Sequence, residues 1–105
     1  MDIRYVFNQN ELQISICGEL DENSAFAVRT TIDRVVSSHL NDGPISVVLD
    51  LSEISFMDST GIGMLLGRYK KFAKRNVIIS LKNPSRNADR ILKMAGIYEI
   101  MPKGS

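Results

Sequence analysis

The chain has one cysteine and one histidine in 105 residues, and each scarcity removes a class of function. Cys17 cannot close a disulfide within the chain, which fits a reducing, cytoplasmic setting. It lies in a strand-like run with no basic neighbour in sequence, so it reads as an inert small hydrophobe. No Cys/His cluster has zinc spacing and no carboxylate string resembles a calcium loop. No run of 18 apolar residues could span a membrane. The opening MDIRYVFNQNEL lacks the basic-then-apolar order of a signal peptide. Internal repeats, low-complexity segments and linkers are missing too.

Hydrophobic residues make up 44% and charged residues 24%, the ordinary globular balance. This length predicts a single domain over 1–105 with one core and no need of disulfide or metal staples. The net charge of +1 hides a division. Residues 1–58 carry ten acids and three bases, residues 59–105 ten bases and two acids. No acid lies between Ser59 and Ala88, where seven Lys or Arg residues fall. Halves of opposite sign either attract each other within the fold or offer a surface for electrostatic docking.

The apolar pattern predicts strands and helices in alternation. Ile3 to Phe7 and ELQISICG flank the polar NQN, and Leu12, Ile14 and Ile16 alternate with Gln13, Ser15 and Cys17, the mark of a hairpin with one buried face. Ala25, Val28, Ile32, Val35, Val36 and Leu40 then fall at helical spacing, with Asn23 or Ser24 as the cap and NDGP as the end. ISVVLDLS is apolar on nearly both faces, as for a central strand covered on both sides. A second helical stripe holds Ile62, Leu65, Leu66, Tyr69, Phe72 and Ala73, and cations crowd its last turns. NVIISLKN reads as a strand. A third helix is capped by Ser85 and stopped at Gly96, and YEIM reads as a last short strand. The order β-β-α-β-α-β-α-β predicts an α/β fold: a small mixed, largely parallel sheet packed with about three helices.

The most informative stretch is ISFMDSTGIGMLLGRYKKF, residues 54–72, where an apolar run stops at Asp58-Ser59-Thr60-Gly61 and a helix begins at once. It is not a nucleophile elbow, because Met57 stands where that motif needs glycine. His39, near the end of the first helix, is better placed to serve that helix's C-terminus than to reach Ser59. GIGMLLG spaces its glycines as GxGxxxG and lacks the Lys-Ser/Thr ending of a phosphate loop. Gly61 and Gly63 read instead as a tight strand-to-helix turn with close packing against the sheet. Asp50, Glu53 and Asp58 read as a solvated edge rather than a metal site. The cations of the second helix lack interleaved exposed aromatics, so direct nucleic-acid binding is not expected. The chain is therefore not expected to be an enzyme. A hydroxyl at a helix start can cap free N–H groups. It can also accept a phosphoryl group, which adds a charge of about −1.5 to −2 and three acceptor oxygens.

The FMDSTGIGMLLGRYKKF block, the earlier GELD (Gly18 to Asp21) and the ending NADRILKMAGIYEIM resemble the bacterial anti-sigma factor antagonists of the STAS-domain family, the sporulation branch above all. The resemblance runs from about Ile3 to Pro102. It implies that Ser59 is the phosphoacceptor. It further implies that the unmodified protein binds an anti-sigma factor with serine kinase activity, freeing a sigma factor, and that a PP2C-type phosphatase restores the phosphorylated form. Asp21 matches a position contacting the kinase, and Asp58, Thr60, Gly61 and Gly63 match the loop around the acceptor. Thr60 stands where close relatives often have a second serine. Nucleotide and magnesium would belong to the kinase, so no cofactor is expected here and no membrane partner. The same fold also serves as a scaffold or regulatory subunit in stress-sensing or transport assemblies without a sigma pathway, which is the alternative expectation.

Overall fold

A computed structural model of the chain describes residues 2–43 and 45–101. Pro44, read from sequence as part of the helix-ending NDGP, lies outside the described residues. Strands β1 (Asp2–Asn8) and β2 (Glu11–Leu20) form an antiparallel hairpin. Its two-residue turn puts both Gln9 and Asn10 at positive φ, 52° and 66°, the combination that suits the right-handed twist of the strands. Helix α1 (Ala25–Ser38) leads through a single 3-10 turn (Leu40–Asp42) to β3 (Ser46–Asp50). Then follow β4 (Ile54–Met57), α2 (Ser59–Ala73), β5 (Ile79–Lys82) and α3 (Arg86–Met94).

The sheet order is β1-β2-β3-β5, with β4 also paired to β2. Only the hairpin is antiparallel; β2–β3, β2–β4 and β3–β5 are parallel. The mixed, largely parallel α/β sheet with three helices expected from the sequence is what forms. β3 and β4 are two parts of one pass along β2. The first pairs with residues 11–15, the second with 18–20, and the register shifts at Gly18/Glu19, where Gly18 has a φ of 111°. The apolar run before Asp58 is thus a strand of its own. Its carbonyls on the outer side are taken by α3: Ser85 Oγ donates to Ile54 O at 2.6 Å and Asn87 Nδ2 to Ser55 O at 3.0 Å, which closes an edge that would otherwise stay open.

Leu12, Ile14, Ile16, Val47, Leu49, Ile79 and Leu81 point to one face of the sheet and are buried there with Val28, Ile32, Val35, Leu65, Phe72 and Leu92. The other face carries Gln13, Ser15, Cys17, Val48, Asp50, Ser80 and Lys82, all only half-buried. The expectation that ISVVLDLS is covered on both sides is therefore corrected. Among the described residues the helices cover one face, and Val48 is the apolar residue that made the strand look two-sided.

The final strand expected at YEIM does not form either. Ile97–Glu99 is a single 3-10 turn entered through Gly96 at φ 71°. Ile97 and Met101 reach the core from it, a spacing of four that belongs to a coiled turn and not to a strand.

Candidate functional site

The end of β2 and the start of α2 meet at Asp58. Its carboxylate caps α2, with Oδ1 accepting from Gly61 N at 3.0 Å. Oδ2 accepts from Glu22 N at 3.2 Å, in the loop before α1. The Asp58 amide donates to Leu20 O at 3.3 Å. Gly61 lies so close to β2 that an added Cβ would run into Leu20 O. Close packing against the sheet, expected for both glycines, holds for Gly61 alone. Gly63 has open space around the position of a Cβ, so the fold does not demand glycine there.

Ser59 is the first residue of α2 and is exposed, as is Thr60. Because Asp58 takes the cap, the Ser59 hydroxyl is left out of that role, and among the described residues it has no hydrogen-bond partner. Asp21 is fixed in the neighbouring loop, where its Oδ1 accepts from Asn23 N at 2.9 Å and Ser24 N at 3.1 Å. Ser24 takes the cap position of α1 but makes no side-chain cap; its hydroxyl donates to Glu19 O at 2.7 Å. The acid three residues earlier does that work instead. The structure thus gathers the Asp21–Ser24 loop, Asp58, Ser59, Thr60 and Gly61 at one end of the molecule.

Other sequence candidates fall elsewhere. His39 sits at the far end of α1, roughly 20 Å along the helix from its start, with Nδ1 2.9 Å from Val35 O and its ring 4.5 Å from that of Phe7. The single histidine therefore does not accompany Ser59, and among the described residues no side chain hydrogen-bonds its hydroxyl. Asp50, Glu53 and Asp58 do not converge: Asp50 accepts from Ser52 N, and Glu53 pairs with Arg4 at 2.8 Å. Among the described residues no group of acids, histidines and cysteine could hold a metal. Cys17, without a basic neighbour in sequence, has one in space, for Arg4 Nη2 lies 3.2 Å from its sulfur. Its hydrogen bond to Glu53, 2.8 Å, pushes the thiol above its ordinary value, while the Arg4 contact opposes that. The cluster is exposed and holds the thiol protonated, which suits the inert role.

Beside the gathered loop, α1 and α2 leave an open groove of about 440 Å³. The sequence reading missed it. Phe26 stands on its wall, 70% accessible, with the Arg29 guanidinium 5.2 Å above the ring. The signal was present in the sequence, since Phe26 is an aromatic off the apolar stripe of α1.

Comparison with known proteins supplies the wider setting. Residues 2–104 match the STAS domain. The chain is 29% identical to an anti-sigma F factor antagonist of Paenibacillus polymyxa, covering 97% of this chain and 85% of that protein. It is 31% identical to an anti-sigma-B factor antagonist of Bacillus subtilis, covering 90% and 82%. Its fold matches that of the anti-sigma factor antagonist SpoIIAA in its unphosphorylated form, with a TM-score of 0.74 at 24% identity over 99% of this chain and 89% of that one. The phosphorylated form of SpoIIAA, a Bacillus cell fate determinant, matches with a TM-score of 0.67 at 24% identity, covering 99% and 92%.

Proposed function

The chain belongs to the STAS-domain family, among the bacterial anti-sigma factor antagonists, and on that premise we propose that it binds an anti-sigma factor with serine kinase activity and is switched off by phosphorylation of Ser59. Binding would release a sigma factor to RNA polymerase. The sporulation branch is the preferred one, supported by the anti-sigma F factor antagonist that matches 97% of the chain.

The observation that carries this reading is the exposed Ser59 hydroxyl beside a cap already filled by Asp58. A catalytic serine needs a base bonded to its hydroxyl, and a structural serine at a helix start needs the cap; among the described residues Ser59 has neither. It is a substrate hydroxyl. Its oxygen would form a bond to the γ-phosphorus of the kinase's ATP as ADP leaves, and a PP2C-type phosphatase would later cleave that ester with water. The new charge of about −1.5 to −2 would stand beside Asp58, with Glu22 across the loop tie. The α2 dipole favours it by only about 0.3–1 kcal/mol. Opposed to an acidic partner surface it costs several kcal/mol, and each 1.4 kcal/mol is about tenfold in affinity. Against such a surface the added charge would by itself release the partner. Asp21, held by two backbone amides, would offer the kinase a rigid contact, and Thr60 and Gly61 would shape the acceptor's surroundings.

Titration calorimetry with the purified anti-sigma factor tests the switch. Ser59→Ala keeps wild-type affinity and takes up no phosphate by mass spectrometry, and Ser59→Asp binds at least tenfold more weakly. Tight binding by Ser59→Asp, or phosphate placed elsewhere in the wild-type protein, overturns the mechanism. The scaffold alternative then comes first.

A further inference from the structure

The groove between α1 and α2 contains features that the fold itself does not explain. Gly63 and Gly67 lie inside α2, where glycine is unfavourable relative to alanine. Neither has a positive φ, and a Cβ at either would meet nothing within 4 Å. Two positions thus give up helix stability to keep space open on the outside of the molecule. Across from them stands Phe26, exposed, with Ala25 and Met64 completing an apolar floor.

The groove also holds an incomplete charge arrangement. Arg68 is 11% exposed and its Nε lies 3.0 Å from Asp33 Oδ1. Nε and Asp33 Oδ1 face each other as an ion pair without hydrogen-bond alignment, and the buried Nη1 has no acceptor among the described residues. Asp33 is already shared, its Oδ2 accepting from Lys71 Nζ at 3.0 Å. Arg29 adds a second guanidinium to the lining, against the single acid Glu22. Buried guanidinium N–H groups find their best acceptor in a carboxylate. The groove is continuous with the switch, since Glu22 and Thr60 belong to both.

We propose that this groove is a second docking site for the anti-sigma factor, taking an apolar side chain over Gly63 and Gly67 against Phe26 and a neighbouring carboxylate on Arg68 and Arg29. The proposal rests on the anti-sigma reading and adds a contact beyond the phosphoacceptor. Anchoring the partner here places Ser59 at the rim of an interface that is already seated.

The experiment is calorimetric titration of the purified anti-sigma factor into wild-type protein, Gly67→Leu, Gly63→Leu and Arg29→Glu, each checked by thermal unfolding. A Cβ at either position meets nothing within 4 Å and the side chain extends into the open groove, so the glycine variants keep the wild-type Tm while Kd rises at least tenfold. Arg29→Glu raises Kd by a similar factor and steepens the loss at low salt. If wild-type protein binds and the folded glycine variants bind within twofold of it, the groove proposal falls and the anti-sigma reading stands. If Arg29→Glu alone is neutral, the carboxylate half falls. No binding by wild-type protein removes the anti-sigma reading and this proposal with it. A wild-type dimer in sedimentation that Gly67→Leu makes monomeric would assign the groove to a second copy instead.

Discussion

The three glycines of GIGMLLG look alike in sequence and differ in what surrounds them. Gly61 is held against Leu20 O. Gly61→Ala forces the start of α2 off the end of β2, and overpacking of this kind costs about 1–3 kcal/mol, more than the ~1 kcal/mol alanine returns in a helix. Gly67→Ala meets nothing and keeps that return. Urea unfolding separates them: the midpoint falls for Gly61→Ala and rises for Gly67→Ala. Sequence reasoning could pick the motif but not divide it, because the dividing fact is the distance to a carbonyl more than forty residues earlier. For the same reason the sequence left open whether the Ser59 hydroxyl caps α2. Serine and aspartate are both good caps, and only the placement of Asp58 one residue ahead of the first helical turn decides which hydroxyl stays free.

Between elements, the main polar tie of the helical layer is Asp33 of α1 with Arg68 and Lys71 of α2. Among the described residues these two ion pairs, both on Asp33, are the ones that join the acidic first half of the chain to the basic second half. The opposite charges of the two halves are therefore mostly left on the surface. Removing one member of a part-buried pair leaves an uncompensated charge. Asp33→Asn loses about 1–3 kcal/mol, the cost of a part-buried polar group left unsatisfied, and adding Arg68→Met restores most of it, a coupling that a double-mutant cycle in urea reads directly. The helices themselves were legible, since their stripes have the right period, and so was Ser85, which caps α3 through Ala88 N at 3.2 Å. β4 and the turn at Ile97–Glu99 were not. A four-residue strand and a 3-10 turn both show as short apolar runs, and only pairing partners tell them apart.

For the whole molecule, alkaline pH is a probe of how the C-terminal turn is fastened. Burial first, then the 2.7 Å hydrogen bond to Asp89 and that residue's charge, raise the Tyr98 phenol well above its ordinary value. The unfolded chain releases this proton near pH 10, and the folded chain keeps it to higher pH. The stabilisation is complete below about pH 10 and is lost as pH rises beyond it. Tyr98→Phe accordingly flattens the decline in unfolding free energy between about pH 9.5 and 11, measured by urea titration at each pH. At this scale fold class was the most legible property, through alternation of strands and helices, and layering the least. Counting apolar residues in β3 could not show that one face of the sheet lacks a cover, because Val48 serves a half-buried face as readily as a core.

Asp58 holds the first turn of α2 with one oxygen and the loop before α1 with the other. These two bonds tie the site to its frame from both sides, and this bears on time. A protein that stores its state as a shape loses it within microseconds to seconds, as fast as loops and helices relax. A mark on Ser59 would be kept in a covalent ester and not in a shape. The molecule would then remember for as long as no phosphatase reads it, and forget in a single hydrolysis.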